Sequence, residues 1–176
     1  MPLTVIPLPY GLRDVKVATL TGDTPGTFVD LPNAQTFSFA ENEDFTELRG
    51  DDKIAGIHGS GPNVNWSLAS GGISLEAYKV MAGGLVTETG VTPSQVKTYA
   101  KLGADIRPYF QVKGQVISDS GGDVWAVVYK CKCEGEIGGE FGDGAFFVTS
   151  MSGRGIPNLA DKLYDFLQHE TATVIT

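Results

Sequence analysis

The sequence predicts a mainly β domain with one short helix packed on a sheet. Apolar and polar residues alternate in several separate stretches, as half-buried strands require, and 23 Gly and 9 Pro break the chain often without forming a run. The period shifts clearly to that of a helix at GGISLEAYKVMAGG, residues 71–84. The 176 residues make one domain, 1–176, long enough to bury roughly two thirds of the surface an unfolded chain exposes. With 41% hydrophobic and 19% charged residues, the composition is that of a folded protein.

After an N-terminal extension over 1–11, LRDVKVATL at 12–20 reads as a first strand with Val15 and Val17 on one face. AQTFSFAE at 34–41 sets Phe37 and Phe39 against Thr36 and Ser38, and NVNWSLAS at 63–70 sets Val64, Trp66 and Leu68 against Asn63, Asn65 and Ser67. The acidic stretch between them, about 41–62, is expected to be a long inter-strand loop. In the helical segment Ser74 suits the N-cap, Ile73 and Tyr78 a hydrophobic staple, and Gly83 a left-handed C-terminal cap. Leu75, Tyr78, Val80, Met81 and Ala82 would seat the helix while Glu76 and Lys79 meet solvent. Residues 85–90 and 92–102 read as strands or an extended link. The segments from 107 to 118 and from 123 to 134 form a long hairpin around Asp119-Ser120-Gly121-Gly122. Phe110, Val112 and Val116 oppose Gln111, Lys113 and Gln115 in its first strand. In its second, Trp125, Val127, Tyr129, Cys131 and Cys133 are expected to share a face against Lys130 and Lys132. GAFFVTSM at 144–151 adds a strand, and 160–176 is a C-terminal arm, short-helical or extended.

The net charge of -8 argues against tight binding to a phosphate backbone, which needs clustered cations. No stretch approaches the roughly 20 apolar residues that span a bilayer, and MPLTVIPLPYG, with three prolines and no basic start, carries no export signal. Neither membrane anchor nor secretion is therefore expected. Cys131 and Cys133 are the only cysteines; a C-x-C pair in a strand lacks disulfide geometry, and two thiols with no nearby histidine are too few for a closed zinc site. The only histidines are His58 and His169, and the chain holds no G-x-S-x-G, H-E-x-x-H or G-x-x-x-x-G-K motif. The expectation is a protein without catalysis, cofactor or metal. Arg49-Gly50-Asp51 is an adhesion tripeptide elsewhere, but without an export signal that reading fails. The acidic runs at 41–52 and 134–143 lack the ligand spacing of a calcium loop, which leaves solvated faces or adventitious cation binding.

Several long stretches in order carry a resemblance: GDTPGTFVDLPNAQTFSF, FTELRGDDKIAGIHGSGPNVNWSLASGGISLEAYKVMAGG, RPYFQVKGQVISDSGGDVWAVVYKCK and the closing HETATVIT. From about Gly11 to the C-terminus the chain resembles the major tail tube proteins of long-tailed, non-contractile bacteriophages, in particular those of actinobacterial hosts. The resemblance implies a β-sandwich or partial barrel with one flanking α-helix. It further implies hexameric rings whose inner strands close one β-barrel, stacked into a virion tail tube that delivers double-stranded DNA. Tape measure, tail terminator and distal tail proteins would be partners, with assembly in the bacterial cytoplasm.

On this resemblance the 41–62 loop reaches a neighbouring subunit, with Glu41, Glu43, Asp44, Glu47, Arg49, Asp51, Asp52 and His58 as contact candidates. The pair 34–41 with 63–70 and the pair 107–118 with 123–134 are the candidate inner-barrel hairpins. Their polar faces are Thr36, Ser38, Asn63, Asn65, Ser67, Gln111, Lys113, Gln115, Lys130 and Lys132. A negative lumen would keep DNA from adhering; Lys113, Lys130 and Lys132 would weaken it unless they pair with carboxylates across a subunit boundary. A soluble β-sandwich binding module, such as a virion decoration or adhesion domain, is the alternative. An acidic hydrolase dependent on His58 is a third reading.

Overall fold

The computed structural model describes residues 6–175. Eleven strands and one helix follow in order: β1 Pro9–Thr21, β2 Thr24–Pro25, β3 Val29–Asp30, β4 Ala34–Gly50, β5 Lys53–Gly71, α1 Leu75–Ala82, β6 Leu85–Thr89, β7 Val96–Ala100, β8 Phe110–Ser118, β9 Asp123–Gly138, β10 Val148–Gly155 and β11 Tyr164–His169. The main sheet runs β2-β1-β8-β9-β10-β5-β4, with β3 beside β1 and β11 beside β9, while β6 and β7 form a separate hairpin. The fold is mainly β with one helix, as the sequence predicts.

The main sheet folds over on itself, so that its β4 end faces β1 and β8. Phe37 of β4 lies so close to Gly114 of β8 that a Cβ there would sit 2.3 Å from the ring. The alternating residues fill the space between the two halves. Val15 and Val17 of β1, Val64, Trp66 and Leu68 of β5, Phe110 and Val112 of β8, Val128, Cys131 and Cys133 of β9 and Met151 of β10 form one buried cluster. Trp66 meets Phe110 edge to face at 5.4 Å, the arrangement that ring quadrupoles favour.

Helix α1 closes this core with Ala77, Val80 and Met81. Ser74 caps its start, its hydroxyl accepting from the Ala77 N–H at 3.4 Å. Gly83 ends it at φ 76° and ψ -168°, a positive φ but not the left-handed helical cap expected from the sequence. Neighbouring side chains satisfy the last carbonyls instead: Lys101 Nζ donates to Ala82 at 2.6 Å and Tyr99 Oη to Gly83 at 2.7 Å.

Three further local expectations need correction. β1 begins at Pro9, so it takes in the end of the 1–11 extension; residues 1–5 lie outside the described residues. The C-terminal arm takes the extended form of the two expected, with Tyr164–His169 paired antiparallel to Asp123–Val128. The face of β9 is not continuous, because Phe110 pairs with Cys131 while Val112 pairs with Val128. The extra residue in β9 flips the side-chain parity, so Cys131 and Cys133 join Val128 in the core and part company with Trp125 and Val127. Burial pushes the Cys131 thiol pKa up, consistent with a packing role. The third concerns 41–62.

Candidate assembly surface

Residues 41–62 are not a loop. β4 and β5 continue past the body as one antiparallel hairpin, paired from Asp44–Ser60 to Gly50–Lys53. Asp51 and Asp52 form the two-residue turn at φ 50° and 62°, the paired positive φ that suits the right-handed twist of a hairpin and that Asp tolerates. Arg49-Gly50-Asp51 is therefore the tip of a strand pair. Beyond Asn42 no further strand among the described residues lies beside the hairpin, since β10 pairs with β5 only over Val64–Gly71. From Asn42 to Gly50, at about 3.3 Å per residue, the arm reaches roughly 30 Å.

The arm buries almost nothing of its own. Phe45 is 64% exposed, Leu48 69%, Ile54 51% and Ile57 63%. The register sets Phe45, Ile57 and Ile54 on one face with Glu47 and Arg49, and Leu48 on the other with Thr46 and His58. Phe45 covers Gly59, directly opposite it, so closely that a Cβ at Gly59 would meet the ring at 2.9 Å. Arg49 donates through Nε and Nη2 to Glu47 Oε2 at 2.9 and 2.7 Å, an exposed pair that contributes little stability. Glu43, Asp44, Asp51 and Asp52 join Glu47 along the arm, while Glu41 at its root accepts from Tyr164 Oη at 3.0 Å.

At the root of the arm, β4, β5, β10 and the C-terminal half of β9 form a four-stranded unit whose outward face is small and polar. Thr36 and Ser38, Asn65 and Ser67, Ser150 and Ser152, and Lys132 with Glu134 occupy it, with Asn63 at the start of the arm. Ser38 and Ser67 stand directly opposite, their hydroxyls 2.7 Å apart. Arg154 lies between Asn65 and Lys132 and approaches Glu134 at 3.6 Å. Lys132 reaches over the Tyr109 ring at 5.0 Å, and Lys130 pairs with Asp23 at 2.9 Å.

The other expected polar positions lie elsewhere. β10 separates β9 from β5, so the two expected inner hairpins are not neighbours. Gln111, Lys113 and Gln115 of β8 line the outward face of the opposite half. Gln111 and Gln115 are buried there, and Lys113 lies over Phe28 at 4.0 Å with its pKa lowered by burial and by Lys16.

The C-terminal residues cross this second face. Gln115 donates to the Thr173 carbonyl at 2.7 Å, Lys16 to that of Ile175 at 2.8 Å, and Ile175 is fully buried. Beneath them Asp123 accepts from Gln115, Trp125 Nε1 at 2.8 Å and the Thr173 N–H at 3.0 Å, and lies 2.7 Å from His169 Nδ1. Burial works to raise the Asp123 pKa, but these hydrogen bonds outweigh it and hold the carboxyl below its ordinary value. The sequence could not single out this cluster, because its members lie at 115, 123–125 and 169–173.

The strand edges left without a strand partner among the described residues include the outer edge of β4 and the edge of β9 beyond Cys131, where β8 ends. A solved structure with the same fold places these features in context. The chain is similar to a chain of the anti-feeding prophage cap, a tube-terminating cap determined by cryo-EM, with a TM-score of 0.50 and 11% identity over 96% of this chain and 100% of that one. At that identity the likeness is one of fold. No protein-family model and no curated protein sequence matches the chain.

Proposed function

We propose that the chain is a structural subunit of a phage-type tail that assembles with copies of itself into hexameric rings, stacked as a tube through which DNA passes without tight binding. The observation that carries this reading is the pairing of an unsupported arm with two free sheet edges in one subunit. A two-stranded hairpin is marginal in water on its own, and four exposed large apolar side chains on it call for a covering surface. Uncovered edges require partners for the same reason, and ring closure supplies them. A fold shared over 96% of the chain with a tube-terminating cap supports a tail role.

In this assembly the arm lies on a neighbouring subunit. The four-stranded unit of β4, β5, β10 and β9 lines the channel with its hydroxyl and amide face, and the acidic excess of the arm lies away from it. Lys130 and Arg154 are paired with Asp23 and Glu134, and Lys132 lies over Tyr109, so the described wall presents no row of unengaged cations to hold phosphates. No residue acts as a catalyst, and the partners are tape measure, terminator and distal tail proteins in a virion tail.

A second reading follows from the neighbour itself: a single ring that ends a tube. Electron microscopy of the purified chain separates the two. Tubes with a regular axial repeat support the tube subunit, isolated rings support the cap, and a monomer at every concentration, even with tail-initiating proteins present, rules out both in favour of a binding module.

A further inference from the structure

The free edge of β9 is covered by one side chain. Arg107 Nη1 donates to the carbonyl oxygens of Cys133 and Gly135 at 3.1 and 2.7 Å. The Cys133 carbonyl points away from β10, since the Lys130 carbonyl accepts from Ile156 N–H on the β10 side and alternate residues face the opposite edge, and the Gly135 carbonyl turns to the same Arg107 nitrogen. They are acceptors that an added strand would use. A guanidinium on a carbonyl makes a charge-assisted bond stronger than the neutral amide bond competing for the same oxygen.

Arg107 also coincides with a distortion of that edge. Met151 pairs with Ile137 but Gly153 with Cys133, so β9 carries two more residues than β10 across this interval. One nitrogen reaching both carbonyls brings them closer than the about 6.8 Å that two residues of straight strand span. With the arginine on its carbonyls, this bulged edge does not template pairing, a known protection for exposed edges.

Arg107 is placed there by the end of α1. It follows Ile106, whose carbonyl lies 2.8 Å from where a Cβ on Gly83 would sit, and Lys101 and Tyr99 of the same segment bind the last helix carbonyls. The outer edge of β4, by contrast, has no such cover among the described residues. It is flanked by Glu41, Glu43 and Asp44 at its distal end, carboxylates able to receive a released guanidinium.

We propose that Arg107 is a removable edge guard: it masks β9 at Cys133–Gly135 until the outer edge of β4 from a second copy displaces it. This rests on the assembly reading above and specifies which edges meet and what restrains them. A guarded edge keeps newly made chains from pairing at random, so that growth waits for a surface that presents β4 in the right orientation.

The test uses the full chain, as wild type, Arg107→Ala and Arg107→Lys. Sedimentation velocity over a concentration series gives the onset of self-association, and amide hydrogen exchange compares the monomer with the assembled form. Arg107→Ala is expected to associate at a concentration about tenfold lower, the worth of roughly one net hydrogen bond, with Arg107→Lys between it and wild type. On assembly of the wild type, 132–138 and 34–41 are expected to gain protection together. Arg107→Ala associating at the wild-type concentration or above overturns the guard, as do assemblies in which 132–138 still exchanges; rings or tubes in those cases leave the assembly reading standing. Wild type that forms no oligomer overturns both. If Arg107→Ala does not fold, Arg107→Lys and the wild-type exchange decide.

Discussion

The same two strands meet opposite fates along their length. Between Ala34 and Asn42, and from Asn63 to Gly71, β4 and β5 bury Val64, Trp66 and Leu68 and pack Phe37 and Phe39 against the core. Beyond that point they keep their pairing but bury nothing comparable, and Phe45, Leu48, Ile54 and Ile57 remain more than half exposed. Backbone pairing is thus continuous while packing stops abruptly. Pairing alone gives only marginal stability, so the arm's order in solution must be weaker than that of the body. Its apolar residues are placed for a contact the single chain does not supply.

That contrast can be broken most forcefully in the body. Trp66→Ala removes a side chain 2% exposed and packed on Phe110, and is expected to cost about 4 kcal/mol in a denaturant titration. Asp123→Ala, on the far face, leaves the Gln115, Trp125 and Thr173 donors without their acceptor and is expected to cost about 3 kcal/mol. The pH dependence follows from the lowered carboxyl pKa. The Asp123 contribution is whole above its ordinary value of 3.8 and is lost as pH falls from there through the lower folded value; Asp123→Asn should flatten the stability profile in that window.

Smaller effects test the packing between the halves and then the arm. Gly114→Ala drives a methyl into the Phe37 ring and should cost about 2 kcal/mol, unless β4 shifts away, which a loss of near-ultraviolet signal would reveal. Phe45→Ser with Ile57→Ser should change monomer stability by less than about 0.5 kcal/mol yet abolish tube or ring formation; normal assemblies from that variant would remove the arm from the contact. The smallest change is at the tip. Asp51→Asn with Asp52→Gly suits the positive φ at both positions better, and should slow amide exchange along 42–62 a few-fold without moving the global midpoint.

The body strands were legible because one of their faces is buried by this chain, which forces strict alternation into the sequence. The arm was not, for two physical reasons. Register shifts between Asn42 and Asp44 and between Leu48 and Arg49 break the period-two pattern, and a hairpin exposed on both faces has no internal demand for alternation. The pair Asp51-Asp52 was the one available signal, as two residues able to take positive φ between equal lengths of chain. Within β9 a single bulge reversed the parity after Val128, which no count along the sequence reveals.

By itself, then, the sequence determined the local facts: a mainly β chain, a capped helix at 75–82, inward-facing apolar residues, and a net charge of -8 with its excess between 41 and 52. Tertiary structure decided which strands are neighbours. It inserted β10 between β9 and β5, buried Asp123 beneath a tail 50 residues away in sequence, and brought Arg107 to the edge of β9. The reason is physical. Alternation and capping are set by contacts a few residues apart, whereas strand order, bulges and edge cover arise from how the whole core closes, and one sequence window holds only one side of each such contact.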